Sequence, residues 1–365
     1  MSTILITATR SMHDYASSVV GFLKNFSLDV EDAVEALNVQ QFADGEMEVM
    51  LNTSVRGKTV VLFANCARNK AKVGVNSSKI ELYNAVDALK RSRSAKIIVF
   101  EPYISCSRSD RTTQRTSVGL WVHFKTLVAL GCKHIVTYQL HSDKSKSMLD
   151  PTRCIIDDIP AMSLLQEYLC DHYIRTADCL HNEVQPNWVF CSVDAGGEKV
   201  ARRFADAYGS ALVIAHKQRD YTKANTIAGI NILSAEPIEG KTVWIVDDMI
   251  DTGGSVVSMI HALTPLKPRE VNIIATHAVF SGDAPAKLKS LKDKGLINRL
   301  VVTDTVYCPE NKEDFIPFIE TVPSTMQSAR IIRNIVTNSS MGGLLLPLSA
   351  EQYLSQPNLF ASGAL

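Results

Sequence analysis

The stretch VWIVDDMIDTGGS, Val243 to Ser255, decides the fold. It opens on an apolar, β-branched run, Val243-Trp244-Ile245-Val246, with the pattern of a buried strand. Two carboxylates follow, Asp247 and Asp248, and then Asp251-Thr252-Gly253-Gly254-Ser255 leads into a helical repeat through Val256, Val257, Met259, Ile260 and Leu263. Strand, small-residue loop and helix start, in that order, make an anion site, because unpaired first-turn amides and the helix dipole both favour negative charge. The glycines let backbone approach a phosphate, and the Thr252 and Ser255 hydroxyls add donors. The paired acids suit a sugar diol or a hydrated divalent cation. An ordinary capped strand–turn–helix needs neither acid.

Outward from this stretch, apolar strands alternate with amphipathic helices. In the first half the strands are Ile4–Thr7, Val60–Ala64, Lys96–Phe100 and Ile135–Tyr138, with helices Ser11–Lys24, Ser78–Arg93 and Val118–Leu130 between them. The pattern starts over near Asp157-Asp158-Ile159-Pro160. Helix Ala161–Tyr173, strand Trp188–Ser192, helix Glu198–Tyr208 and strand Leu212–Ala215 precede the opening stretch; strand Val271–Thr276, helix Ala284–Lys294 and strand Leu300–Thr303 follow it. Such alternation predicts an α/β fold of mostly parallel sheets flanked by helices. With 365 residues, two closely packed domains are expected: residues 1–155, residues 156–325, and a C-terminal helix and tail, 326–365, packing back on the first domain.

Composition narrows the function. Lys plus Arg and Asp plus Glu are both 38, which argues against a nucleic-acid binder. Eight scattered cysteines without a CxxC favour reduced thiols in a cytoplasmic protein. No signal peptide is expected, and no apolar run is long enough to span a membrane.

Other segments carry phosphate chemistry. Asp194-Ala195-Gly196-Gly197 again joins a strand end, an acid, small residues and a helix, and can cradle a diphosphate while Asp194 meets a cation. Lys217 and Arg219, in the polar stretch His216–Asn225, can close over a reacting phosphoryl group; alone, such a charge run is a solvated loop. Arg108, Asp110, Arg111 and Arg115 follow a strand, where paired guanidinium groups grip polyphosphate; a salt-bridged surface loop is the alternative. His141 stands at another strand end, and is a metal ligand only if a partner such as Asp194 converges on it.

Together these segments resemble the ribose-phosphate pyrophosphokinases (PRPP synthetases), from about Ile4 to about Leu344. VDDMIDTGGS (Val246–Ser255) is similar to the ribose 5-phosphate signature, which is shared with all type I phosphoribosyltransferases. FADGE (Phe42–Glu46), SVRG (Ser54–Gly57), PYISCSRSDR (Pro102–Arg111), LHS (Leu140–Ser142), SVDAGG (Ser192–Gly197), HKQR (His216–Arg219) and VFSG (Val279–Gly282) distinguish the family. The resemblance implies two type I phosphoribosyltransferase-like domains. It places ATP on Phe42, Asp44, Glu46, Arg108, Ser109 and Asp110, with help from a neighbouring subunit. It implies Mg2+ held by His141 and Asp194, the diphosphate on Asp194, Ala195, Gly196 and Gly197, and the sugar phosphate on Asp247, Asp248, Asp251, Thr252, Gly253, Gly254 and Ser255. Lys217 and Arg219 are the implied catalytic cations, and dimers assembling into hexamers the implied state.

The chain also departs from that family. Ser109 stands where Gln is usual, Cys106-Ser107 where Tyr-Ala is usual, and DKSKSMLD (Asp143–Asp150) where Gln-Ile-Gln-Gly-Phe-Phe-Asp follows the histidine; NKAKVGVNSS (Asn69–Ser78) is a further difference. A departure beside the substrates makes ADP-ribose the alternative acceptor, in NAD rebuilding. A PRPP-consuming phosphoribosyltransferase and an inactive regulatory subunit are the other two readings.

Overall fold

The computed structural model describes residues 4–67, 73–112, 114–219, 227–234, 236–306 and 318–355, with backbone alone for 217–219 and 227–229. The chain forms two compact units. The first holds the chain through Pro160 together with Pro323–Leu345; the second holds Ala161–Asp304, the strand near residue 320 and the chain from Leu346.

In the first unit the strands are β1 Ile4–Ala8, β2 Val30–Asp32, β3 Leu37–Gln41, β4 Met47–Leu51, β5 Thr59–Phe63, β6 Lys96–Phe100, β7 His134–Tyr138 and β8 Ile155–Ile159. Six of them form one parallel sheet in the order β2-β1-β5-β6-β7-β8. The central strands TVVLF and KIIVF are buried from their second residue onward, as strands covered on both faces by helices must be. Helix Val75–Arg91 contributes Leu82, Ala85, Val86 and Leu89 to this core, and helix Gly119–Leu130 contributes Leu120, Phe124 and Leu127. β3 and β4 form a separate antiparallel hairpin, tied to helix Val75–Arg91 by Asn84 Nδ2 donating to the Met47 carbonyl at 2.8 Å.

The second unit contains β9 Trp188–Ser192, β10 Ala211–Arg219, β11 Ile227–Ser234, β12 Thr242–Ile250, β13 Glu270–Ala278, β14 Arg299–Thr303 and β15 Ile319–Val322. They run β11-β10-β9-β12-β13-β14-β15, all parallel except the antiparallel pair β10 and β11. Helix Glu198–Tyr208 buries Ala201, Phe204, Ala205 and Tyr208 against Phe190, Trp188 and Trp244. Each large side chain so covered stabilises the unit by about 1.5–3 kcal/mol. Strand order reverses between β9 and β12, and the crevice at the carboxyl ends of such a pair is where open α/β sheets bind ligands.

Four features differ from the sequence-based expectation. β8 is the last strand of the first sheet, not the start of the second half; its IIDDI pattern is half-exposed and acidic, so it lacks a strand's usual signal. Asp247 and Asp248 lie within β12, which runs on to Ile250, and not beyond its end. His216–Arg219 continue strand β10 instead of forming a loop, because β11 pairs with them; the register shifts between Gln218 and Arg219. The C-terminal segment is divided: helix Thr325–Thr337 packs on helix His13–Asn25, whereas Ala350–Ser355 packs in the second unit, where Ala350 is buried and Tyr353 Oη donates to Asp171 at 3.1 Å.

In the first unit the returning helix is fixed by hydroxyls. Tyr15 Oη lies 2.7 Å from both Ser324 Oγ and Ser328 Oγ, and Tyr138 Oη lies 2.8 Å from Ser328 Oγ. Among the described residues no helix is long and apolar enough to cross a membrane, and no cysteine is in a disulfide.

Candidate functional site

In the second unit β9 and β12 flank the topological crevice and lead into the expected diphosphate loop, Asp194–Gly197, and the expected acceptor loop, Asp251–Ser255. Beyond β12, Gly253 adopts φ 72°, a left-handed conformation that favours glycine, and helix Gly254–Leu263 begins directly after it. Its N-cap residue has no side chain, so no cap competes with a bound anion for the first amides of the helix. Thr252 and Gly254 are exposed and Ser255 half-exposed. Asp251 accepts the Ser281 amide through its carbonyl at 2.9 Å, which ties the loop to the VFSG segment.

Asp247 and Asp248 stand behind this loop. The Asp248 amide donates to Asp247 Oδ1 at 2.9 Å. Burial pushes the Asp247 carboxyl well above the usual carboxylate range, and the neighbouring Asp248 and Asp194 charges push it the same way.

Asp194 follows β9. Its Oδ1 accepts the Gly196 amide at 2.9 Å and the Gly197 amide at 3.1 Å, so the diphosphate loop is closed on its own carboxylate. The two expected phosphate loops therefore differ. One follows a glycine N-cap, which has no capping side chain, and the other has its amides bound to an acid that a ligand must displace or share.

Lys217 and Arg219 belong by backbone to β10, beside β9, with Lys217 opposite Ile230 in β11. Their side chains, and the rest of the stretch to Asn225 beyond Arg219, lie outside the described residues.

In the first unit FADGE forms the tip of the β3–β4 hairpin. The Phe42 amide donates to the Glu46 carbonyl at 2.8 Å, Gly45 turns the chain at φ 93°, and Asp44 Oδ1 accepts the Glu46 amide at 3.0 Å. Phe42 is 41% exposed, a flat apolar surface held out to solvent as a base-stacking residue must be. Arg108 is exposed and Asp110 half-buried, after β6. Ser109 serves the scaffold: its Oγ accepts the Gly119 amide at 2.8 Å and so starts helix Gly119–Leu130. A Cβ at Gly119 would lie 3.1 Å from that oxygen, so the two small residues fit each other.

His141 is exposed just past β7. The preceding turn is held by β8: the Gln139 amide donates to the Ile159 carbonyl at 3.0 Å, and the Leu140 amide to Asp158 Oδ1 at 2.9 Å. Burial raises the Asp158 carboxyl, opposed by the Leu140 amide and by Lys146. His141 and Asp194 belong to different units, and no group of three His, Cys, Asp or Glu side chains is gathered for a metal ion among the described residues.

The sequence reading missed two side chains. Lys287 places Nζ 3.4 Å from the Thr252 carbonyl and 2.8 Å from Asp283, beside the acceptor loop; its helical position carries no motif. Asp158 belongs to a pair that marks a new half by pattern, whereas its contact reaches back to Leu140.

Two family models match the chain. The first, over residues 4–131, describes the N-terminal domain of ribose phosphate pyrophosphokinase; the second, over residues 166–305, describes a phosphoribosyl transferase domain. The ribose-phosphate pyrophosphokinase of Wolinella succinogenes is 30% identical over 315 residues, covering 86% of this chain and 92% of that relative. The ribose-phosphate pyrophosphokinase of Campylobacter jejuni is 31% identical over 325 residues, covering 88% and 94%. Among solved structures, phosphoribosylpyrophosphate synthetase from Mycobacterium smegmatis superposes with a TM-score of 0.77 at 26% identity, over 93% of this chain and 100% of that one.

Proposed function

This chain belongs to the ribose-phosphate pyrophosphokinase family, enzymes of diphosphate transfer, and on that premise we propose that it moves the β,γ-diphosphate of ATP to the anomeric hydroxyl of ribose 5-phosphate. The observation that carries the reading is the crevice between β9 and β12, where a helix start with a side-chain-free cap lies beside the acidic pair Asp247 and Asp248. The loop Asp251–Ser255 takes the 5-phosphate on its amides and hydroxyls. Asp247 and Asp248 hold the ribose diol. This places C1 near Asp194–Gly197, whose amides take the diphosphate as Asp194 turns to the cation.

In the first unit Phe42 stacks the adenine, Asp44 and Glu46 bind its polar edge and sugar, and Arg108 and Asp110 hold the phosphate end. A bond forms from the C1 oxygen to the β-phosphorus while the bond from that phosphorus to the α,β-bridging oxygen breaks; the C1 hydroxyl proton is released to solvent, and AMP departs with the bridging oxygen. Lys217 and Arg219 stabilise the charge spread over the transferring group. His141 in the first unit and Asp194 in the second are the residues that would ligate Mg2+, which would supply charge neutralisation of the phosphates. The active form is a homo-oligomer in which a neighbouring subunit completes the ATP site.

The test is to incubate the purified chain with ATP, Mg2+ and each of two acceptors, ribose 5-phosphate and ADP-ribose, and to measure AMP. AMP with ribose 5-phosphate is the expected outcome. AMP with ADP-ribose alone replaces the acceptor and keeps the chemistry. No AMP with either sinks the proposal; pyrophosphate released from PRPP and a base, without ATP, would then favour a phosphoribosyltransferase.

A further inference from the structure

The segment that departs most from the family, Asp143–Asp150, lies directly after His141, and its contacts are specific. Asp143–Met148 coils into a 3-10 helix that brings Lys146 Nζ to 3.6 Å from Asp158 Oδ2 and 3.8 Å from Asp143 Oδ1. The Asp158 side chain is only 6% exposed, so a carboxylate has been taken from water, which is costly unless its lone pairs are used. They are used: Oδ1 receives the Leu140 amide at 2.9 Å, and Oδ2 faces Lys146.

The residue before Leu140 is strained. Gln139 has φ 45°, a left-handed conformation in a residue with a Cβ, which costs about 1–3 kcal/mol and persists only where its surroundings over-determine it. Here β8 supplies the determination, through the Ile159 carbonyl on the Gln139 amide and the Asp158 carboxylate on the Leu140 amide. Leu140 itself is 4% exposed and anchored in the core. The next residue, His141, follows this turn directly and is exposed at the strand end.

We propose that Asp158, neutralised by Lys146, is a positioning residue that holds the Gln139–Leu140 turn so that His141 meets the cation of the nucleotide. The inference rests on the reading of His141 as a ligand. Groups that accept the far ring N–H of a metal-binding histidine fix its ring, and their loss typically lowers metal affinity about 10- to 100-fold; Asp158 acts one residue further out, on the Leu140 amide, and sets the backbone that carries the imidazole. The diverged segment is accordingly a local solution to the same requirement: it supplies the cation that makes an aspartate tolerable behind the turn.

The experiment measures Mn2+ binding to the full-length chain in the presence of ATP, by the loss of the free-ion paramagnetic resonance signal, for wild type, Asp158→Ala, Asp158→Asn, His141→Ala and the double variant Asp158→Ala/His141→Ala. Thermal unfolding and ribose 5-phosphate binding are followed in parallel. Asp158→Ala should weaken Mn2+ about 10- to 100-fold with ribose 5-phosphate binding unchanged. Asp158→Asn, which keeps an acceptor for the Leu140 amide, should recover most of that loss, and the double variant should bind no more weakly than His141→Ala. Wild-type Mn2+ affinity in Asp158→Ala, beside a loss in His141→Ala, overturns the positioning role and leaves the ligand reading standing. Wild-type affinity in His141→Ala overturns both. If Asp158→Ala does not fold, the partly exposed Lys146→Ala decides: wild-type Mn2+ affinity, or a loss additive with that of His141→Ala in the double variant, overturns the proposal, and a non-additive loss supports it.

Discussion

The chain carries the same dipeptide, Asp-Asp, in a strand of each sheet, and the two pairs are handled in opposite ways. In β8 the protein answers the charges itself. Asp157 Oδ2 lies 2.8 Å from His134 Nε2, and Asp158 takes the Leu140 amide and faces Lys146. In β12 burial pushes the Asp247 carboxyl upward, the nearby acids Asp248 and Asp194 push it the same way, and the Asp248 amide is the group that opposes them. A pair compensated by its own fold serves shape. A pair crowded with like charge stores an electrostatic cost that a sugar diol or a cation can lower on binding.

The largest test of this contrast removes each pair in turn. Asp247→Asn with Asp248→Asn should lower kcat/KM for the acceptor at least about 100-fold, since each charge-assisted hydrogen bond to a hydroxyl contributes about 1.5–3 kcal/mol. Asp157→Ala should instead cost about 1–3 kcal/mol of stability in urea unfolding, by leaving His134 Nε2 without its acceptor, while acceptor kinetics stay near wild type. The reverse pattern would break the comparison.

A finer test uses pH. The folded chain keeps a proton on Asp247 after the unfolded chain has released it, near pH 4. Stability from this group is therefore full below about pH 4 and is lost as pH rises toward the raised folded value. Asp247→Asn cannot titrate, so its thermal midpoint should fall less across that window than the wild-type midpoint. Parallel curves would mean that the crowding of Asp247 is relieved by groups not counted above.

The smallest expected effect concerns a cation beside the loop Asp251–Ser255. Lys287 is 39% exposed and already shared with Asp283, so Lys287→Met should raise the acceptor KM only about two- to fivefold and leave kcat unchanged. A larger loss would give the acceptor loop a compensating charge of its own and narrow the difference between the two regions.

What could be read without coordinates follows from range. The run Val243–Ser255 carries its own evidence, because β-branched residues, acids and paired glycines are local signals, and Gly253 does take the left-handed conformation that a glycine permits. Strand Trp188–Ser192 and helix Glu198–Tyr208 also agree with their local patterns. Long-range partners are what escaped. His216–Arg219 read as a polar loop because their strand character comes from pairing with β11, not from alternation. Ser109 sits inside a nucleotide motif, yet its hydroxyl is spent on the start of a helix ten positions later. Asp158 looks like a repeat of the acceptor acids, and only the reach of its carboxylate to Leu140 gives it another task.

The return of helix Thr325–Thr337 to the first unit bears on how the chain is made. Tyr15 and Ser328, which share a hydrogen bond, are 313 positions apart. On the ribosome the first sheet is complete long before that helix emerges, so the hydroxyls of Tyr15 and Tyr138 must wait, wet or covered by a chaperone, for the end of synthesis. Contacts of such separation slow folding and leave the waiting surface open to aggregation. A message truncated before Ser324 would thus yield a first unit in which Tyr15 and Tyr138 lack the Ser324 and Ser328 hydroxyls, a defect that quality control could recognise on a chain whose two large sheets had already been translated.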